Sequence, residues 1–299
     1  MTDKYQRIDF RDQISRNKMK SFVLIFVIFL VFVALGYVIS MAFDPGLFFV
    51  IMIISIVVSL LYILLSYYNS DKIAVASVGA KVASRQEYKQ YYSVVEGLTI
   101  ASGMPMPKLY IMQSSQINAF ASGRDPKHSV VCVTTGALEK LNKQELEGVL
   151  AHELSHVSNY DIRYMTLVTV MVGMIAIISE IFLRSLWFKS SDDNGKGNAI
   201  FIIIGVVLAI LAPIIVQLVQ LAISRKREYT ADASAVKFTR YPAGLIGALK
   251  KIKDENEPES TKKISKAMAP MFFVNPFRIK ELTSTHPPLN KRIEVLERM

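Results

Sequence analysis

The chain has 299 residues, of which 52% are hydrophobic, and its mean hydropathy is +0.32. That hydropathy is high for a soluble protein and indicates several membrane spans. The net charge is +10, but no basic motif with interleaved aromatic residues is present, so nucleic acid is not an expected partner. Basic residues at an anionic membrane surface explain the charge instead. The single cysteine, Cys132, excludes an internal disulfide and fits a reducing compartment.

Two charge-free apolar segments, residues 21–43 and 47–68, follow a basic N-terminal segment at residues 1–20. Each is long enough to cross a bilayer as a helix, which takes about 20 apolar residues. Only a tight turn separates them, so residues 21–68 are predicted to form a transmembrane hairpin. A signal peptide is the alternative for the first segment, but its apolar run is too long and no small-residue cleavage site follows.

The next part of the chain, residues 69–164, is predicted to be soluble. Its pattern predicts a helix over residues 82–98 and a strand over residues 108–113, with a Gly- and Pro-rich break between them. Residues 129–135 are rich in Val and Thr and predict a second strand.

A His-Glu-Leu-Ser-His stretch begins at His152. Asn142 followed by Glu145 resembles a capping box, and apolar residues then recur at helical spacing, so the stretch is predicted to lie on a helix. Because helix positions four apart share a face, His152 and His156 could chelate one Zn²⁺, with Glu153 beside the catalytic water. The alternative is a pair of histidines that pack in the core or face solvent.

A second transmembrane hairpin is predicted over residues 165–223, with spans at residues 165–183 and 199–223. Buried core helices or a re-entrant hairpin are the alternatives, because the first segment holds Glu180 and the second holds Pro213. The distribution of basic residues places both termini, and the soluble parts, on the cytoplasmic side of the cell membrane.

Residues 224–299 form the second soluble part, and the third zinc ligand is expected there. His128 lies in a polar, turn-rich loop and is predicted to be an ordinary exposed histidine. Glu228 is the better candidate. It lies four residues before Asp232, so the two carboxylates share a helix face. Alone they would be a solvated charged face. Together with the histidine pair, they predict that Glu228 ligates zinc while Asp232 accepts a hydrogen bond from a ligating histidine.

Nearly the whole chain resembles the HtpX family of membrane-bound zinc metalloproteases, which are relatives of the CAAX prenyl endopeptidase. The matching stretches, in family order, are residues 118–121 (NAFA), 133–136 (VTTG), 147–156 (EGVLAHELSH), 159–161, 228–232 and 285–288 (THPP), with Arg292 and Ile293. The four apolar segments together with this resemblance predict a mainly α membrane protein, in which four transmembrane helices carry an α+β zinc metalloprotease domain. The resemblance implies a site of the gluzincin type.

In such a site one Zn²⁺ per chain is held by His152, His156 and Glu228, and Glu153 is the general base. Our candidate for stabilising the oxyanion is His286, with Arg292 assisting, and the resemblance supports this role. A rigid turn that packs the C-terminal helix is the alternative for the His286 segment.

The sequence therefore predicts an integral-membrane zinc endopeptidase whose partners are membrane lipid and protein substrates, chiefly membrane proteins. The resemblance suggests a role in membrane-protein quality control or the stress response. A zinc-containing membrane scaffold without proteolysis is one alternative, and a prenyl-protein endopeptidase is a weaker one. The strand at residues 129–135 is either the edge strand to which an extended substrate adds its backbone or a plain core strand.

Overall fold

The computed structural model describes residues 10–42, 45–167, 225–255, 272–274 and 287–299. The predicted third and fourth spans lie outside the described residues, apart from residues 165–167. Those three belong to a helical stretch that begins at Asp161.

Two long helices form the N-terminal part of the structure: α1 (Phe10–Ala42) and α2 (Phe48–Tyr68), with a 3₁₀ turn at Pro45–Leu47 before α2. The helices contact each other, and the rings of Tyr37 and Phe48 meet edge to face with centroids 6.0 Å apart. Within the described residues, α2 is the one helix that by length and composition could cross a membrane, and very little of it is buried in the protein. The four-span topology therefore stays a prediction from the sequence.

Within the described residues, four strands form one sheet: β1 (Lys81–Val82), β2 (Lys108–Met112), β3 (Ala119–Asp125) and β4 (His128–Thr134). Their order in the sheet is β1-β2-β4-β3. The β2 and β4 strands are parallel, whereas β1 pairs antiparallel with β2 and β3 pairs antiparallel with β4. Alternate side chains point to opposite faces, so both faces are packed. One face lies against the main helical core, and the other against the short helix α3 (Ser70–Ser77).

Strand β3 lies at one edge of the sheet. The short segment of residues 272–274 covers part of its outer side. The backbone N–H of Phe273 donates to the Ala119 carbonyl at 2.8 Å, and the Asn118 side-chain amide donates to the Val274 carbonyl at 2.7 Å. The strand predicted over residues 129–135 is β4, which lies between β2 and β3. It is therefore a core strand, and the edge-strand alternative for these residues was wrong.

The helices that form the main core come from both predicted soluble parts of the chain. They are α4 (Lys89–Ser102), α5 (Thr135–Lys140), α6 (Lys143–Ser158), α7 (Arg225–Thr239), α8 (Pro242–Asp254) and α9 (Leu289–Leu296). The helix predicted over residues 82–98 begins later than expected, at Lys89, because Val82 belongs to β1 and pairs with Tyr110. It ends where Gly103 adopts a φ of 69°, which glycine tolerates without strain.

Helix α6 begins at the predicted capping box and runs through the middle of the core. The Asn142 side chain accepts the Glu145 backbone N–H at 2.9 Å, and the Glu145 carboxylate accepts the Asn142 backbone N–H at 2.8 Å. The helix packs closely on α8 at Gly148, which has no side chain. A Cβ there would lie only 2.5 Å from the backbone nitrogen of Leu245. These contacts fix the axis and register of the helix that carries the histidines.

Candidate metal centre

Helix α6 buries His152, Glu153 and His156, whose exposed fractions are 1%, 2% and 6%. The Nε2 atoms of the two histidines are 3.2 Å apart. Helix α7 brings Glu228 to the same point: its Oε2 is 3.5 Å from Nε2 of His152, and its Oε1 is 3.7 Å from Nε2 of His156. Among the described residues, these three side chains have ligand atoms that all lie within 4.8 Å of one another.

The donor set fits zinc in both chemistry and spacing. Two imidazole nitrogens and one carboxylate form a usual catalytic zinc set, which leaves one coordination position open. Tetrahedral ligands about 2.0–2.1 Å from a zinc ion lie ~3.3–3.4 Å from one another. The two Nε2 atoms are 3.2 Å apart, and each has a Glu228 oxygen within 3.5 or 3.7 Å, which is close to that value. The residues that the sequence singled out can therefore face one ion from three sides.

A carboxylate orients each histidine from behind. Nδ1 of His152 lies 2.9 Å from Oδ1 of Asp232, which is one turn beyond Glu228 on α7. Nδ1 of His156 lies 3.2 Å from Oδ2 of Asp161, which follows the end of α6. A carboxylate that accepts the Nδ1–H bond leaves the Nε2 lone pair for a metal and fixes the plane of the ring.

Acidic neighbours also favour positive charge at this point. Burial lowers the pKa of His156, but the hydrogen bond to Asp161 and the negative charge of Glu228 outweigh that effect and raise the pKa to about 9. The same surroundings favour a bound cation over an uncharged occupant.

Arg292 of α9 contacts Asp232 on the side away from the cavity shared by the three donors. The side chain is fully buried, and its Nε and Nη2 donate to the two Asp232 oxygens at 2.9 and 2.6 Å. Burial raises the pKa of Asp232, but the Arg292 charge and the bond from His152 outweigh it and hold the pKa below its usual value. The guanidinium also stacks over Phe273 at 4.7 Å. Its Nη1 lies 3.8 Å from Oε2 of Glu228. Arg292 thus orients Asp232 beside the site, and its assistance at the oxyanion stays a prediction.

Glu153 lines a small cavity together with both histidines and Glu228. Burial raises the pKa of the Glu153 carboxyl, although the nearby histidines and a hydrogen bond from the Ala121 backbone act in the opposite direction. The remaining lining residues are Ala121, Ile162, Met165, Phe272 and Phe273. The four polar candidates therefore share a cavity whose other lining residues are apolar, and their burial limits screening of their charges by water.

Other candidates lie away from this cavity or cannot be placed. His128 is exposed and its ring contacts Asp125, as expected for an ordinary surface histidine. Cys132 is buried in β4, and burial raises the pKa of its thiol far above the usual value. His286, the oxyanion candidate, lies outside the described residues.

Comparisons with known proteins agree with this geometry. The sequence model of Peptidase family M48 matches residues 85–299 of this chain. The protease HtpX homolog of Thermoanaerobacter pseudethanolicus is 43% identical over 95% of both chains. The homolog of Dictyoglomus thermophilum is 42% identical over 97% of this chain and 95% of its own. The chain belongs to the HtpX family of M48 peptidases. As an HtpX-family member, it is a metalloprotease of a membrane-associated group.

A solved structure shares the fold of this HtpX-family chain. The crystal structure of S. mikatae Ste24p matches with a TM-score of 0.50 and 21% identity, over 94% of this chain and 65% of the Ste24p chain. At that identity the likeness concerns the fold alone.

Three residues near the site received no role from the sequence. Asp161 falls in a stretch shared with the HtpX family, and its position just after the histidine helix was the available signal. Phe273 packs edge to face on His152, with centroids 4.9 Å apart. Asn17 donates to Asp161 from α1. Neither Phe273 nor Asn17 belongs to a recognisable motif, because each reaches the site through tertiary contacts.

Proposed function

We propose that this chain is an integral-membrane zinc endopeptidase with one Zn²⁺ held by His152, His156 and Glu228. The convergence of these three donors, with Glu153 in the same cavity, supports the proposal best. When bound, zinc would act as a Lewis acid that polarises the scissile carbonyl and lowers the pKa of the attacking water.

Glu153 is the proposed general base. It follows a ligand directly in α6 and is not needed as a ligand itself, because His152, His156 and Glu228 already provide three. Its carboxylate takes the proton of the attacking water and then delivers it to the leaving amine. Burial raises the pKa of this carboxyl, which brings it closer to the working pH and suits a group that must both accept and release a proton.

The remaining polar residues position this machinery. Asp232 and Asp161 hold the two imidazole rings, and Arg292 balances the buried charge of Asp232. We keep His286 as the proposed oxyanion group on the basis of the family resemblance.

The proposed setting is the cell membrane, with four spans and with the active site and both termini on the cytoplasmic side. The apolar helix α2 and the basic N-terminal segment support this placement. Helix α1 and the stretch beginning at Asp161 both lead from the site into predicted spans, which would place the site close to the membrane surface. Protein segments at that surface are therefore the proposed substrates. Damaged or misfolded membrane proteins would meet this description, which gives a role in quality control or the stress response.

The test compares the parent chain, Glu153→Gln and His152→Ala in cleavage of a membrane-protein substrate, with zinc content measured for each. Glu153→Gln should retain zinc, because Gln keeps the shape of the side chain. Its cleavage rate should fall by about 10²–10⁴-fold or more, because the general base is lost. His152→Ala should lose zinc and activity together, and a chelator should do the same to the parent.

Cleavage by Glu153→Gln at the parent rate, with zinc bound, would eliminate Glu153 as the base. A parent chain that binds zinc but is as inactive as Glu153→Gln on every substrate would favour a zinc-containing scaffold. The prenyl-protein alternative predicts cleavage of prenylated peptides in preference to unmodified ones.

A further inference from the structure

The N-terminal helix α1 reaches the metal centre through a buried side chain. Asn17 is 4% exposed, and its Nδ2 donates to Oδ1 of Asp161 at 2.7 Å and to the Asn159 carbonyl at 2.9 Å. The other Asp161 oxygen, Oδ2, lies 3.2 Å from Nδ1 of His156. A continuous chain of polar contacts therefore runs from α1, through one carboxylate, to a proposed zinc ligand.

The turn between α6 and Asp161 contains a residue with a left-handed backbone. Tyr160 has a φ of 60°, a left-handed conformation that residues other than glycine seldom adopt. Tyr160 follows Asn159, the C-cap of α6, and directly precedes Asp161, whose Oδ2 faces His156. Lys18, the neighbour of Asn17 on α1, places its ammonium 4.4 Å from the centre of the Tyr160 ring. Two adjacent α1 residues thus contact the turn.

We propose that Asn17 is a positioning residue for the metal centre, acting on His156 through Asp161. The inference rests on the proposed zinc site. By donating to Oδ1, Asn17 fixes the plane of the Asp161 carboxylate and directs Oδ2 at the imidazole. Arg227 also faces Oδ1, but at 3.7 Å it is too distant for a hydrogen bond. Without the Asn17 amide, the carboxylate loses a short hydrogen bond that sets its rotation.

The contact between Asn17 and Asp161 also connects the predicted membrane hairpin to the proposed metal centre. Helix α1 continues without interruption from Asn17 into the first predicted span, residues 21–43. A shift or rotation of that helix in the bilayer therefore moves the donor that holds Asp161. The orientation of His156 becomes sensitive to how the first span sits in its surroundings.

The experiment uses the full-length chain in detergent micelles and compares the parent with Asn17→Leu, which is similar in size but has no donor. Ser21→Ala is the matched control, since Ser21 is equally buried on α1 and its hydroxyl donates to the Asn17 carbonyl of the same helix. Zinc affinity is measured by competition with a chelator, and the ligand geometry by the absorption spectrum of the Co²⁺-substituted protein.

Asn17→Leu should bind zinc about tenfold more weakly and alter the Co²⁺ spectrum, while Ser21→Ala matches the parent in both. Loss of an outer partner of a metal ligand typically costs 10–100-fold in affinity, and Asn17 acts one residue further out. In an Asp161→Ala background, Asn17→Leu should cause no further loss, because its route to His156 is already removed.

Parent-like affinity and spectrum in Asn17→Leu would overturn the proposal, even if the melting temperature of the metal-free protein falls. An equal loss with and without Asp161 would also overturn it, because the effect would then bypass that residue. His156→Ala separates this from the proposed function: if that variant binds zinc as tightly as the parent, the zinc site itself is wrong.

Discussion

Replacing Arg292 with Met should destabilise the fold strongly, because it leaves the buried carboxylate of Asp232 without its cation. Both side chains are fully buried, and two hydrogen bonds of 2.9 and 2.6 Å join them. Breaking a buried ion pair by removing one partner typically costs about 3–5 kcal/mol. At about 1.4 kcal/mol per factor of ten, this loss multiplies the unfolded fraction by more than a hundred. Asp232→Leu should do comparable damage, by isolating the guanidinium.

The double variant Arg292→Met/Asp232→Leu separates the stability of the fold from metal binding. Replacing both members of a buried pair with apolar residues is often neutral or stabilising, so most of the lost stability should return. Zinc affinity should remain about 10–100-fold below the parent, because His152 still lacks the carboxylate behind its ring.

The assay is thermal unfolding in detergent with a chelator in every sample, so that metal binding does not contribute to the measured stability. Zinc affinity is then determined separately for each variant. Two results would refute the reasoning: a melting temperature for Arg292→Met equal to that of the parent, or a double variant whose loss is the sum of the two single losses. The first would show that the pair does not hold α9 on α7, and the second that the two residues do not interact.

Three further predictions test packing, the buried thiol and topology. Gly148→Ala should lower both thermal stability and activity, because the added Cβ would lie 2.5 Å from the α8 backbone. In the same unfolding assay the control Gly97→Ala should be neutral or stabilising, because nothing lies within 4 Å of the Cβ position there. Cys132 should resist maleimide at neutral pH until the protein is denatured, because the thiol is 1% exposed and its raised pKa keeps it protonated; rapid labelling of native protein would contradict its position in β4. Reporter fusions after Ser70 and Lys237 should indicate the cytoplasm and one near Gly195 the opposite side; a cytoplasmic signal at Gly195 would exclude the third and fourth spans.

Local patterns in the sequence were sufficient to predict the elements that short-range physics determines. The capping box at Asn142 starts α6 as expected, and the strand predicted over residues 108–113 is β2. The spacing of His152 and His156 needed only the helical repeat to place both on one face. These features depend on residues a few positions apart, so the local sequence is enough to predict them.

Features that depend on distant pairing could not be predicted in the same way. Strand β3 was missed because its sequence, AFASGRD, combines small, polar and charged residues, and it is held by pairing with β4 rather than by an apolar alternation of its own. Val82 was assigned to a helix because its pairing with Tyr110 cannot be read locally. The pairing of Arg292 with Asp232 could not be predicted either, because motif likeness identifies a residue near a site without showing which side chain it contacts.

The order of the site residues along the chain has a consequence for biosynthesis. A ribosome releases Asn17 first, then the two histidines, then Glu228, and Arg292 after all of these. A nascent chain therefore exposes His152 and His156 while the third donor is still unmade, and Asp232 emerges before the cation that balances it in the buried pair. The buried charge of Asp232 is balanced only once α9 has docked beside α7. In the proposed protease, the cation that supports the metal centre from behind is therefore the last of these residues to be made.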